Sequence, residues 1–148
     1  MKKVITFLCL ILMMFSLVAC KQSGTKDNVI VEVGQSTKFS KKEINATINC
    51  VIDNFGFPAC TLKKVWYDEE KSNTLITGYL SNGRGSVNGV KAENVIILLS
   101  TFDVDGSGKN PVLNPNSTYT DYQWILIRDN KTSKWKIDDQ GYWRDSLL

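Results

Sequence analysis

Residues 94–104 read Asn-Val-Ile-Ile-Leu-Leu-Ser-Thr-Phe-Asp-Val. In a strand, successive side chains point to opposite faces. Val95, Ile97 and Leu99 therefore share one face, and Ile96, Leu98 and Phe102 share the other. Both sets are apolar, so this strand belongs at the centre of a sheet that is covered on both sides. A chain with such a strand needs partners for two sheet faces, and the rest of the sequence must supply them.

One cover is a helix. Ser40-Lys41-Lys42-Glu43 has the form of a capping box, in which the Ser hydroxyl and the Glu carboxylate satisfy orphan amides. Ile44, Ile48, Val51, Ile52 and Phe55 follow at helical spacing, and Gly56 and Pro58 end the run. The other segments read as strand and turn. Val29–Val33 is rich in β-branched residues. Thr61–Tyr67 reads as a strand, Asp68–Asn73 as its turn and Thr74–Ser81 as its partner. Asn82-Gly83 and Asn88-Gly89 are turn dipeptides. A Gly/Pro/Asn-rich loop spans 105–118, and Asp121–Arg128 with Lys134–Asp138 forms a last hairpin. One amphipathic N-terminal helix packed on a curved antiparallel sheet of four to five strands is an α+β plan. Such a sheet leaves a concavity that closes with aromatic side chains or forms a pocket.

The N-terminus carries an address. Lys2 and Lys3 precede an apolar run, Val4–Ala19, shorter than the ~20 residues that span a bilayer, which is the layout of a secretory signal. It ends Leu17-Val18-Ala19-Cys20, similar to the lipobox of bacterial lipoproteins, where the Cys thiol takes a diacylglyceryl group. The expected division is a signal peptide over 1–19, lipidated Cys20 and a tether over 20–28, and a single α+β domain over 29–148. Acyl chains of the palmitate type on Cys20 would hold the mature chain on the lipid bilayer at the extracellular face of the cell membrane.

The composition removes several chemistries. There is no histidine, which excludes Ser-His-Asp and Cys-His pairs and His-ligated zinc. The net charge of +3 includes Lys2 and Lys3, which leave with the signal, so nucleic acid is not an expected partner.

Few residues remain that carry chemistry. Cys50 and Cys60 flank the helix end. Outside the cytoplasm they can close a loop of about ten residues, worth roughly 3 kcal/mol, or stay as free thiols. Asp103, Asp105 and Ser107, with Gly106, match the opening of a calcium loop, but position 12 is Asn114 where a bidentate Glu belongs. Calcium is the one cofactor with any support. Asp138-Asp139 would share a substrate only if a bulge turned both to one face. Tyr142 and Trp143 offer rings that could stack on sugars, though aromatics in a small domain more often fill the core. The expectation is an anchored binding or accessory module without catalysis of its own, its partner an envelope protein or a small ligand. The alternatives are a small pocket enzyme using carboxylates and an envelope-structural protein that pairs through a sheet edge.

Several segments carry a resemblance: Cys60-Thr61-Leu62 with Val65–Glu70, Gly85–Val90, Glu93–Ile96, Leu113–Tyr119, and Trp124–Arg128 with Lys134–Asp139. Together they resemble a family of small Gram-positive lipoproteins catalogued as domain of unknown function 4829. The Lys-Trp-Lys-Ile-Asp ending is similar to the last hairpin of nuclear-transport-factor-2-like or cystatin-like domains. The resemblance implies an α+β fold and an envelope location, and it assigns no functional residue.

Overall fold

The computed structural model describes residues 24–142. The order is β1 (Ile30–Glu32), α1 (Lys41–Asn54), β2 (Cys60–Trp66), α2 (Glu69–Asn82), a short α3 (Gly85–Asn88), a 3₁₀ turn (Ala92–Asn94), β3 (Val95–Val104), β4 (Thr118–Ile127) and β5 (Lys136–Gly141). The strands form one sheet in the order β1-β2-β3-β4-β5, with β1 parallel to β2 and every other neighbour antiparallel. The α+β class, the amphipathic helix and five strands agree with expectation. The sheet is mixed and not wholly antiparallel, because the Gly34–Ser40 connection and α1 carry the chain back before β2 begins.

Both faces of β3 are covered. On one side α1 buries Ile44, Ile48 and Val51 against Leu62, Ile96, Leu98, Trp124 and Leu126. On the other, Ile76 and Tyr79 of α2 pack on Val95, Ile97, Ile125 and Ile127. The concavity expected under the first helix is filled. Phe57 stacks on Trp124 at 5.6 Å, and Phe55, Phe102 and Tyr122 close around them. The indole of Trp124 donates to Ser100 Oγ at 2.8 Å, so this large residue is buried without an orphan donor.

The expected turn at 68–73 and strand at 74–81 are in fact one helix, α2. Asp68 is its N-cap, accepting from Lys71 N at 3.0 Å, and Glu69 and Glu70 occupy its positive first turn. Ser72, Ile76 and Tyr79 recur at i, i+4 and i+7 and are all buried. Thr74 and Thr77 favour strands, but each hydroxyl donates to the carbonyl four residues back, and packing on the second sheet face decides the conformation. The Ser72 hydroxyl also accepts from Ile97 N at 3.1 Å, beyond the point where β2 stops opposite Leu99. Among the described residues there are therefore three helices where one was expected.

The segment read as a tether is docked where it is described. Thr25 N donates to Cys60 O and Leu62 N to Thr25 O, both at 2.8 Å. Lys26 Nζ donates to Ile52 O and Asp53 O, both at 2.9 Å, and so caps a helix whose last turn has no basic residue of its own.

Two carboxylates hold loops through many donors. Glu43 Oε2 accepts from Ser40 N at 2.8 Å and from Ser40 Oγ at 2.7 Å, while its Oε1 accepts from Arg128 Nη1 at 2.8 Å. Glu69 accepts from the hydroxyls of Ser36 and Thr37 and from Thr37 N. These bonds favour the charged form and hold both carboxyls at about 2, from an ordinary 4.5. The folded pKa lies below the unfolded one. The stabilisation is therefore complete above about 4.5 and is lost as pH falls toward 2. The urea midpoint should drop between about pH 6 and about pH 3, and Glu43→Gln should flatten part of that slope. An unchanged slope in that variant would remove Glu43 from the account.

Candidate functional site

The last hairpin ends in a buried cation. Arg128 follows β4 and is 4% exposed. Its guanidinium lies 4.4 Å from the Trp135 ring and 6.0 Å from the Phe39 ring, within cation–π range. Nη1 donates to Glu43 and Nε to Asn94 Oδ1 at 3.3 Å. Asn94 is itself fixed, because its backbone carbonyl accepts from Arg128 N at 3.0 Å and its Nδ2 donates to Asp129 O at 3.5 Å. Helix α1, the 3₁₀ turn and the β4–β5 hairpin thus meet on one guanidinium.

A trough of about 800 Å³ runs past this point, lined by Asn88, Val90, Lys91, Glu93, Arg128, Lys131 and Asp138 among others. An adjoining depression of about 510 Å³ shares Glu93, Arg128 and Lys131 and extends to Lys38 and Phe39. The lining is mostly charged and polar, with Val90 and Ile127 as its apolar members.

The far wall of the trough is a second polar cluster. Tyr79 Oη donates to Asp138 Oδ2 at 2.6 Å, Asn88 Nδ2 donates to Tyr79 Oη at 2.9 Å, and Arg84 Nε lies 3.4 Å from the same Asp138 oxygen. Tyr79 is 1% exposed, and burial, then the Asp138 carboxylate, pushes its phenol well above the usual range. It stays protonated and serves as a fixed donor. A β-bulge places Asp138 here. Ile125 pairs with Asp139 and Leu126 with Ile137, so Asp138 is the extra residue. The intervening bulge does not yield a carboxylate pair, because Asp139 accepts from Gln140 N at 2.8 Å while Asp138 is held by Tyr79 and Arg84.

Another depression, about 500 Å³, lies beside α2 with Asp68, Glu70, Lys71 and Asp121 on its walls. Lys71 and Asp121 pair across it at 3.1 Å, both more than half exposed. Asp121 sits at φ 53, where the register slips between Ser100 and Phe102.

The residues singled out in the sequence are dispersed. Cys20 and the signal segment lie outside the described residues, as does Trp143. Cys50 and Cys60 are free thiols, so the anticipated bond is not made. Cys50 Sγ faces Trp135 O at 3.7 Å, and Cys60 Sγ donates to Pro58 O at 3.3 Å, so the two are committed to different surroundings. Burial pushes both thiols up, which keeps them protonated and sluggish. The calcium-like oxygens point to protein partners. Asp103 accepts from Thr118 Oγ1 at 2.7 Å and faces Lys63 Nζ at 3.6 Å, and Asp105 accepts from Ser107 N at 2.9 Å. Among the described residues no group of three or more Cys, Asp or Glu side chains is arranged to hold a metal ion. Tyr142 is half exposed and packs edge-on to Tyr122 at 5.3 Å while donating to Thr120 O.

Arg128 and Tyr79 were missed as site residues. Both sit inside segments that read as strands, where an aromatic or an Arg draws no notice. The sequence signal for Arg128 was an Arg directly after the apolar run Trp124–Ile127.

Residues 26–141 match the family described as a domain of unknown function (DUF4829), and the chain belongs to that family. No curated protein and no solved structure matches it.

Tyr79→Phe should lower unfolding stability by about 1–2 kcal/mol, since it removes a buried donor to a charged acceptor. Urea denaturation measures this. A loss below about 0.3 kcal/mol would mean that the Tyr79–Asp138 bond does not hold the trough wall.

Proposed function

We propose that this member of the family is a membrane-anchored extracellular lipoprotein whose domain binds a small polar ligand and performs no catalysis of its own. The observation that carries the reading is the trough of about 800 Å³ at the hairpin end of the sheet, with fixed polar groups converging on it from two sides. Arg128 and Asp138 are both held by partners on other elements, so the groups a ligand would meet are already positioned. Preorganisation of this kind favours binding, because little is left to order when the ligand arrives. With no histidine in the chain, proton transfer near neutral pH would have to use carboxylates or perturbed phenols. The best-placed phenol, Tyr79, is pushed away from neutrality.

The anchor is the lipobox-like Leu17-Val18-Ala19-Cys20. No helix among the described residues is long and apolar enough to cross a membrane, so the reading assigns membrane attachment to acylated Cys20. A second reading draws on β1, a three-residue edge strand exposing Ile30 and Val31. There the chain would join an envelope protein by adding a strand.

A thermal-shift screen of small polar metabolites tests the binding reading. At least one compound should raise the melting temperature by several degrees at saturating concentration, and Asp138→Asn should reduce that shift. A screen in which nothing stabilises the chain would contradict it. In parallel, wild-type chain should incorporate labelled palmitate, and Cys20→Ala should not.

A further inference from the structure

We propose that the trough recognises a small monocarboxylate, gripped by the unused donors of Arg128; this rests on reading the trough as a binding site. A guanidinium has five N–H groups. Arg128 gives one to Glu43 and one to Asn94, and the other three have no acceptor among the described residues. No fully buried side-chain nitrogen or oxygen among the described residues lacks a partner. Nη2, the one guanidinium nitrogen with no acceptor among the described residues, is therefore not sealed beneath the surface, and Arg128 lines both the trough and the depression beside it. The side chain is almost wholly buried, clamped by Trp135, Phe39, Glu43 and Asn94. A planar fork held in this way matches the two oxygens of a carboxylate and loses little side-chain entropy on binding.

The charges around it set the ligand's charge. Lys136 pairs with Asp129 at 3.3 Å, and Asp138 is taken by Arg84 and Tyr79. Among the described residues, Lys91, Lys131 and Glu93 line the trough in no ion pair. Two free lysines against one free glutamate leave an excess of about one positive charge, enough for a monoanion. A phosphate dianion would carry twice the charge into a trough that Glu93, Asp129 and Asp138 also line.

The test is a titration of the detergent-solubilised full chain, followed by ¹H–¹⁵N spectra of the arginine Nε–H and tryptophan indole groups. The probes are acetate, its neutral isostere acetamide, and inorganic phosphate. Acetate should shift the Arg128 Nε–H and Trp135 indole signals saturably, and acetamide should not. Arg128→Lys should weaken acetate at least tenfold, since the charge stays but the fork is lost. Lys131→Gln, a substitution at an exposed position, should weaken it by about threefold, and no change there would overturn the proposal even if the Arg128 variant fails to fold. Linear, unsaturating shifts of the Arg128 Nε–H and of the exposed Arg84 Nε–H alike would indicate an adventitious ion only and would overturn it. Tighter binding of phosphate than acetate would overturn the choice of a carboxylate. If acetate is silent while a neutral or cationic compound from the thermal-shift screen binds in an Asp138-dependent way, this inference falls and the binding reading stands. If nothing binds, both fall.

Discussion

The Glu43–Arg128 ion pair is the contact on which the arrangement of the domain depends. Glu43 belongs to the capping box that starts α1, and Arg128 directly follows β4. The bond between them at 2.8 Å ties the first helix to the last hairpin across 85 positions of sequence. A buried guanidinium is costly to desolvate and persists only when its partners are well placed. Here Phe39 and Glu43 flank the N-cap of α1, Asn94 comes from the 3₁₀ turn and Trp135 from the hairpin. The requirement to satisfy Arg128 therefore fixes the position of α1, of the 3₁₀ turn and of the hairpin together. It also leaves a partly committed cation at the wall of the trough.

The same logic appears on the opposite sheet face with different residues. The bulge at Asp138 breaks the β4–β5 register and delivers a carboxylate that Tyr79 and Arg84 hold. Tyr79 is at once a core side chain of α2 and a donor to the trough wall. The groups on the trough wall are thus extensions of the packing, as rigid as the core that supports them. That link from packing to site geometry is what favours a binding module.

Much of the fold was legible, and the reasons are local. The capping box at Ser40, the apolar stripe from Ile44 to Phe55 and the two-faced strand at 95–104 are dictated by periods within one segment. Helix α2 was not legible as a helix because Thr74, Ile76, Thr77 and Tyr79 have strand propensity, and only the second sheet face overrides it. The two-sided apolar pattern of β3 did demand a second cover, but the residues of that cover looked like a strand. The site was less legible than the fold. Arg128 and Tyr79 gain their roles from partners 85 and 59 positions away, which no local spacing announces. The motifs that did stand out went elsewhere. Asp103 and Asp105 satisfy Lys63, Thr118 and a tight turn, and Cys50 and Cys60 face separate backbone carbonyls.

A double-mutant cycle on Glu43→Gln and Arg128→Met, read by urea denaturation near neutral pH, tests the central claim most directly. If the pair couples α1 to the hairpin, the two substitutions together should cost less than the sum of each alone, with a coupling of about 2 kcal/mol. Exposed ion pairs give less, about 0.2–1 kcal/mol. Additivity to within about 0.5 kcal/mol would contradict the account. It would mean that helix and hairpin are held by the apolar core alone.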